Sequence, residues 1–324
     1  MTFATSRAVL SALALFAATI GAAAQDFPTR PITIVLPYPP GASTEQVARM
    51  IQPVMQERLK QPVVIENVAG ATGAIGATRV KRAAPDGYTV LVASIGVYAT
   101  NPFLQKNLQY DPAKDFDLLT VLVRAPNVLV LHPSVPANSV AEFVEYLKKN
   151  PDRVSFASSG AGSSDHLTAA LFWQRTGTTG LHVPYKGGGP AISDLLAGHA
   201  LASFQNLNAI AAHVKAGKLK ALAITGDRRS AALPDVPTLA EAGVKDVEVY
   251  SWQAAAAPKG LPKSVRDKLH AAFVAALNDA DVAPKLTAQG FELVGNTPEQ
   301  FSQFLTQELA RWKQVIERGK ITID

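Results

Sequence analysis

Pro31-Ile32-Thr33-Ile34-Val35-Leu36-Pro37-Tyr38-Pro39-Pro40-Gly41-Ala42-Ser43 is the stretch that decides the fold. Its first half is a β-branched apolar run of strand length, and Pro37, which cannot donate to a sheet ladder, stops it. From Ser43 onward Val47, Ala48, Met50, Ile51, Val54, Met55 and Leu59 carry the spacing of one helix face. Pro53 is expected to kink or break that helix. A buried strand that passes through a short Pro/Gly loop into a helix start is the repeating unit of α/β proteins.

The unit recurs along the chain. Val63–Asn67 reads as a strand, a helix follows around Ala74–Ala84, Pro85-Asp86-Gly87 is a turn, and Tyr88–Ala93 is a strand. This βαβαβ order implies a parallel sheet covered by helices. In the middle, Asn127–Leu131 reads as a strand and Ser139–Lys149 as a helix with a Ser cap that stops before Pro151. Val154–Ala157 is a strand, Asp165–Arg175 a helix and Leu181–Val183 a strand. Pro190–Ala197 is a short helix closed by Gly198, and Leu219–Thr225 is another strand. The last third is mostly helical, with faces at Val265–Leu277 and Pro298–Arg318.

The N-terminus sets the compartment. Arg7 is the one charge before Asp26, and an apolar Ala8–Ala18 run leads to the small residues Ala22-Ala23-Ala24. This is the pattern of a secretory signal, with cleavage expected after Ala24. A membrane anchor is the competing reading, but spanning takes roughly 20 strongly apolar residues. This run is Ala-rich, broken by Ser11 and Thr19, and ends in Gln25-Asp26. The chain has 0 cysteines, so an exported form folds without disulfides and carries no lipid on cysteine. The mature length suggests two domains. The net charge of +5 gives a mild positive field that favours an anionic ligand. The basic residues are dispersed, which argues against nucleic acid.

Three segments share one design: strand, Gly/Ser/Pro loop, helix start. They are Pro37–Ser43, Ser158-Ser159-Gly160-Ala161-Gly162-Ser163-Ser164, and Pro184-Tyr185-Lys186-Gly187-Gly188-Gly189-Pro190. In open α/β sheets ligands sit at the carboxyl ends of strands. Helix N-termini offer backbone N–H groups and partial positive charge to a carboxylate or phosphate. Ordinary helix capping would look the same at any one loop; three together point to a binding cleft.

Enzyme motifs fail on inspection. Gly160–Ser164 is not a G-x-S-x-G elbow, since serine must hold its central position. Asp165 and His166 are sequence neighbours at a helix start and do not form a triad with Ser163. Gly70-Ala71-Thr72-Gly73-Ala74-Ile75-Gly76 lacks the second glycine of a dinucleotide loop, and Gly187-Gly188-Gly189 lacks the G-K-[ST] ending of a phosphate loop. The 6 histidines are scattered, without the spacing of metal ligands. No catalytic residue, cofactor or metal is expected.

Several segments occur in the order of a known family. They are Pro31–Tyr38, Val63–Asn67, Ala84-Pro85-Asp86-Gly87-Tyr88-Thr89, Tyr110-Asp111-Pro112, Asp115-Phe116, His182-Val183-Pro184-Tyr185-Lys186-Gly187, Ala216–Ala223 and Leu233-Pro234-Asp235-Val236-Pro237-Thr238. Glu241-Ala242-Gly243 and Thr297–Phe301 continue the series. Together the chain resembles the Bug-type extracytoplasmic solute-binding proteins of tripartite tricarboxylate transporters, over essentially the whole mature length. The resemblance implies a type II periplasmic-binding-protein fold: two α/β lobes joined by crossing hinge strands, with a ligand cleft between them. The crossings fall near Ala125 and Ser251. Lobe 1 is then 25–125 plus 251–324, and lobe 2 is 126–250.

It also implies function. A small carboxylate, either a dicarboxylate or an aromatic acid, is captured in the periplasm and delivered to membrane permease subunits by a monomer that is not an enzyme. The alternative is a ligand-sensing protein that docks on a membrane sensor kinase. Carried onto this sequence, the ligand loops are Tyr38–Glu45 and Ser158–His166, with Ser94 and Pro184–Gly187 lining the cleft. The candidate binding residues are therefore Tyr38, Gly41, Ala42, Ser43, Glu45, Ser94, Ser158, Gly160, Ser163, Ser164, His166, Pro184, Tyr185 and Asn206. Tyr38 and Tyr185 are expected to offer faces to a flat or extended ligand. Two departures stand out. Gly41-Ala42-Ser43-Thr44-Glu45 replaces the family's glycines and aspartate, and Gln205-Asn206 stands where an aspartate commonly faces the cleft. Glu45 would repel an anion unless it turns away or pairs with the helix start.

Overall fold

The computed structural model describes residues 27–41 and 43–322. The expected signal segment with its cleavage point at Ala24, and the candidate Ala42, lie outside the described residues. The opening unit forms as its residues dictate. β1 (Ile32–Leu36) is almost wholly buried, and α1 (Ser43–Leu59) sets Val47, Ala48, Ile51, Met55 and Leu59 into the core. Pro53 lies inside α1 without ending it. β2 (Val63–Asn67) and β3 (Thr89–Ser94) both pair parallel to β1, with α2 (Ala74–Lys81) between them. After β3 come a short helical segment Gly96–Thr100 and α3 (Asn101–Leu104).

The largest difference from the sequence reading is β4, which runs over Phe116–Leu131, 16 residues, rather than beginning at Asn127. Pro126 hid the first half, since proline inside a run argues against a central strand. β9 (Tyr250–Pro258) pairs antiparallel with that first half, in register Arg124↔Trp252, Ala125↔Ser251, Pro126↔Tyr250. It also pairs antiparallel with β3, so the first sheet is mixed rather than purely parallel. β9 alternates faces in the period-2 manner of a strand. Ala254 and Ala256 join one core with Tyr98 and Trp252, while Ala255 and Ala257 join another with Leu269 and Phe273.

The second half of β4 belongs to a second sheet, where Asn127–Leu131 pairs with β7 (Ala202–Asn206) and β8 (Lys220–Ile224). β5 (Ser155–Ser158) and β6 (Leu181–Pro184) continue it, β5 being parallel to both β6 and β7. α4 (Val140–Lys149), α5 (Ser164–Thr176), α6 (Gly188–Ala197) and α7 (Leu207–Lys215) accompany these strands. The sequence reading missed β7 and α7, because Ser203, Gln205 and Asn206 look like loop chemistry. α8 (Lys263–Leu277), α9 (Val282–Ala288), β10 (Glu292–Leu293) and α10 (Pro298–Gly319) complete the chain. The result is two α/β lobes that share β4.

Packing where β9 enters the core is aromatic. Trp252 stacks on Tyr98 at 5.6 Å between ring centroids and meets Phe301 and Phe304 edge-on. Its indole N–H donates to Glu308 of α10 at 2.7 Å, and Trp312 donates to the same carboxylate at 3.0 Å. Among the described residues no helix is long and apolar enough to cross a membrane.

Candidate functional site

Register fixes where the strand ends meet. Ser94, the last residue of β3, pairs with Gln253, three positions from Tyr250 at the crossing. Asn206, the last residue of β7, pairs with Asn127, one position past Pro126. The carboxyl ends of the parallel strands in both sheets therefore point at the crossing, the place where such sheets bind ligands. The loops after β1, β5 and β6 lead from there into α1, α5 and α6.

On the first sheet, the Tyr38 hydroxyl and Ser94 Oγ lie 2.6 Å apart, and Ser94 N donates to Tyr38 Oη at 3.2 Å. Burial raises the Tyr38 phenol above its ordinary value, so it stays protonated. Ser43 Oγ, at the start of α1, accepts from Gln253 Nε2 at 2.9 Å and from Asn208 Nδ2 at a long 3.4 Å. The second contact ties α1 to α7 and so spans the two sheets. Gly41 takes φ +86°, a region glycine favours, and its N–H donates to Glu45 Oε2 at 2.5 Å. Glu45 also pairs with Arg49. The Gly41 N–H, followed by Arg49, holds the Glu45 carboxyl below its ordinary range. Its charge is thus satisfied at the helix start.

On the second sheet, Asp165 is buried and accepts from Ser159 N at 2.6 Å, Ser159 Oγ at 2.7 Å and Gln205 Nε2 at 3.4 Å. Burial pushes its pKa up, against the opposing hydrogen bonds from Ser163 and Ser159. Gly160 and Gly162 have φ +133° and +78°. A Cβ on Gly162 would come within 2.4 Å of Leu104 Cδ1, and Thr100 Oγ1 donates to Gly162 O at 2.9 Å. The Ser158–Ser163 loop is thereby pressed against α3 of the first sheet. Ser163 caps α5 and donates to Gly160 O at 2.5 Å. Ser164 Oγ accepts from Asn206 Nδ2 at 3.4 Å, and Asn206 also donates to Asn127 Oδ1. Asn127 Nδ2 in turn donates to Thr168 Oγ1 at 2.9 Å.

Other candidates are placed differently. Ser158 is 1% exposed, and its Oγ meets His182 Nε2 at 2.6 Å. His166 turns toward β6 and stacks on His182. Both rings line a cavity of about 340 Å³ with Trp173, Thr178 and Ile321, on the side of α5 that meets the C-terminal segment. Burial and the neighbouring ring push His166 down to about 3, and burial pushes His182 down to about 4. Both rings are neutral near pH 7. Tyr185 N donates to Ser158 O, which holds the loop after Pro184 against β5. The Tyr185 hydroxyl, however, donates to Asp194 of α6 at 2.7 Å.

The structure thus gathers Tyr38 with Ser94, Ser43 with Gln253 and Asn208, and Asn206 with Ser164 and Asn127. Sequence reasoning missed Gln253, Asn208, Asn127 and Asp165. The available signal was a lone amide in an alanine run for Gln253, and Asn208 two positions after Asn206. What the arrangement offers is hydroxyl, amide and helix N-terminal donors around the crossing, a chemistry for holding an anion rather than transforming it.

The chain is similar to known proteins over most of its length. The tripartite tricarboxylate transporter family receptor profile matches residues 47–321. Protein BugT of Bordetella pertussis is 37% identical over 313 residues, covering 95% of this chain and 96% of BugT. An R. palustris protein solved with adipate is 35% identical with TM-score 0.86, covering 92% of this chain and 100% of that one. MatC from Rhodopseudomonas palustris, with bound malate, is 34% identical with TM-score 0.82, covering 90% of this chain and 100% of MatC.

Proposed function

We propose, because the chain belongs to the family of tripartite tricarboxylate transporter receptors, that it captures a small carboxylate in the periplasm and delivers it to the permease subunits of a tripartite transporter. The family is one of solute-binding receptors rather than enzymes. The ligand class is a dicarboxylate or an aromatic acid, in keeping with the adipate and malate held by the two structural relatives. In this reading residues 25–125 plus 251–324 form one lobe and 126–250 the other. The signal is cleaved near Ala24, and the mature protein is a monomer.

The observation that carries the reading is the Ser43 cluster. The Ser43 oxygen accepts from Gln253 and Asn208, which leaves its proton to donate to a carboxylate. The N-terminus of α1 adds backbone N–H groups and partial positive charge beside it. Glu45 offers no opposition, since Gly41 and Arg49 hold its charge. Tyr38, Ser94, Ser164 and Asn206 supply further polar groups, and Gly41 and Gly160 let a ligand approach the backbone.

The test is the melting temperature of the chain from Gln25 onward against a panel of carboxylates. A ligand at about 100 times its dissociation constant adds roughly 2.7 kcal/mol of stability, a clear upward shift. Ser43→Ala is expected to weaken binding about tenfold or more, the worth of one charge-assisted hydrogen bond. A folded protein that responds to no carboxylate overturns the proposal.

A further inference from the structure

Gln253 and Asn208 do more than hold Ser43. Gln253 is 4% exposed, and among the described residues neither its Oε1 nor the Asn208 Oδ1 has a hydrogen-bond partner, although both oxygens are buried. A buried carbonyl without a donor is costly, and proteins rarely leave one so. Elsewhere around the crossing the Asn127 amide is paired at both ends, its Nδ2 donating to Thr168 and its Oδ1 accepting from Asn206, while the Gln205 nitrogen donates to Ser203 and Asp165. Among the described residues, Gln253 Oε1 and Asn208 Oδ1 are the two fully buried side-chain oxygens left without a partner.

Exchanging the amide O and N positions does not remove the deficit. Both amides reach the same hydroxyl oxygen, at 2.9 and 3.4 Å, and a hydroxyl has one proton to give. At most one of the two amides can turn its oxygen to Ser43. The other must donate through nitrogen and leave its carbonyl facing away. At least one acceptor at the crossing therefore lacks a donor among the described residues, beside the hydroxyl and helix start proposed to take a carboxylate.

We infer that the ligand is a carboxylate with a hydrogen-bond donor, a hydroxyl or an ammonium, next to its carboxylate group, and that Gln253 and Asn208 select for that donor. This rests on the proposed capture of a carboxylate and narrows it. A plain dicarboxylate brings only acceptors to the cluster and leaves the orphaned oxygen to be paired, at an ordering cost, by a trapped water. A 2-hydroxy or 2-amino acid satisfies it. An ammonium would add its own charge, so the hydroxy and amino forms are separable by experiment.

The experiment is titration calorimetry of the chain from Gln25 onward with matched sets: succinate, malate and aspartate; glutarate, 2-hydroxyglutarate and glutamate; phenylacetate, mandelate and phenylglycine. In at least one set the hydroxy or amino member is expected to bind about tenfold or more tighter than its plain partner, the range of one satisfied buried acceptor. In Gln253→Met and Asn208→Leu, which keep bulk and remove the acceptor, that preference is expected to shrink to about threefold or less in at least one variant. Equal affinities within every set that binds overturn the inference and leave the carboxylate reading standing. Retention of the full preference in both variants overturns the assignment to these two residues. If no member of any set binds to a protein that melts cooperatively, the carboxylate reading fails as well.

Discussion

The imidazole rings of His166 and His182 stack face to face, 3.6 Å between centroids and 3° between planes. His166 Nδ1 accepts from Gly162 N at 3.0 Å, so the loop before α5 is held by a neutral ring. Both pKa values are depressed, His166 to about 3 and His182 to about 4. In the unfolded chain both revert to about 6.5. Between those limits the unfolded state binds protons that the native state refuses. The stabilisation is complete above about pH 6.5 and is lost as pH falls toward 4. His166 should contribute about 1 kcal/mol per pH unit in that window, and the more exposed His182 less, because solvent screens it. Urea denaturation at pH 7 and pH 5 measures this. His166→Gln should flatten the dependence, and an unchanged pH slope would contradict the assignment.

Ser158 carries both the loop and that histidine pair. Its hydroxyl lies 2.6 Å from His182 Nε2 and accepts from Gly160 N at 3.2 Å. Read from sequence as a loop–helix junction, the site implies that Ser158→Ala leaves the fold untouched, but the structure makes Ser158 the last residue of β5. Its burial indicates instead a loss of about 1–2 kcal/mol, the cost of buried groups left unpaired. Chemical denaturation of the variant decides between the two expectations.

Glu308 accepts two indole N–H bonds from inside the aromatic core. Glu308→Leu strands both donors and should cost about 2–4 kcal/mol. Glu308→Gln keeps one acceptor oxygen and should lose distinctly less. Tryptophan fluorescence during denaturation follows both variants, and equal losses would show that packing rather than hydrogen bonding is at stake.

At the crossing, the Arg124 guanidinium lies 4.0 Å over the Tyr250 ring and bonds Glu292 at 2.8 Å. Tyr250 donates to Asp227 at 2.7 Å. That bond lowers the Asp227 carboxyl, while burial pushes Tyr250 up to about 12. Arg124→Met keeps the aliphatic stem and loses the charge and the stacking, for an expected cost of about 1–2 kcal/mol. A change in urea midpoint within experimental scatter would remove this cluster from the account of how the crossing is held.

The strand–loop–helix units were legible because local pattern decides them. Ile32–Leu36, Val63–Asn67 and the capped Ser139 helix follow from apolar period and capping residues. β9 was not, since Ala254–Ala257 has weak strand propensity and its conformation is set by burial between β3 and β4. β7 was hidden by polar residues whose partners, Ala157 O for Ser203 and Asp165 for Gln205, lie far away in sequence. The loops after β1 and β5 could be named from composition and resemblance. The direction of each side chain could not: His166 points to β6 and Glu45 to Gly41 because of neighbours the sequence does not place. Gln253 and Asn208 became visible only once the crossing brought β9 beside α7.

The position of β9 between β3 and β4 bears on the order in which the molecule can be made. Synthesis delivers β1 to β4 long before Tyr250–Pro258 exists, so the nascent first sheet has an open gap at its centre. β3 and β4 have no edge to share until that late segment arrives and pairs with both. The N-terminal part therefore cannot reach its native sheet while the chain is still short. Such delay keeps an emerging polypeptide threadable, the form in which a chain can still pass lengthwise through a narrow channel.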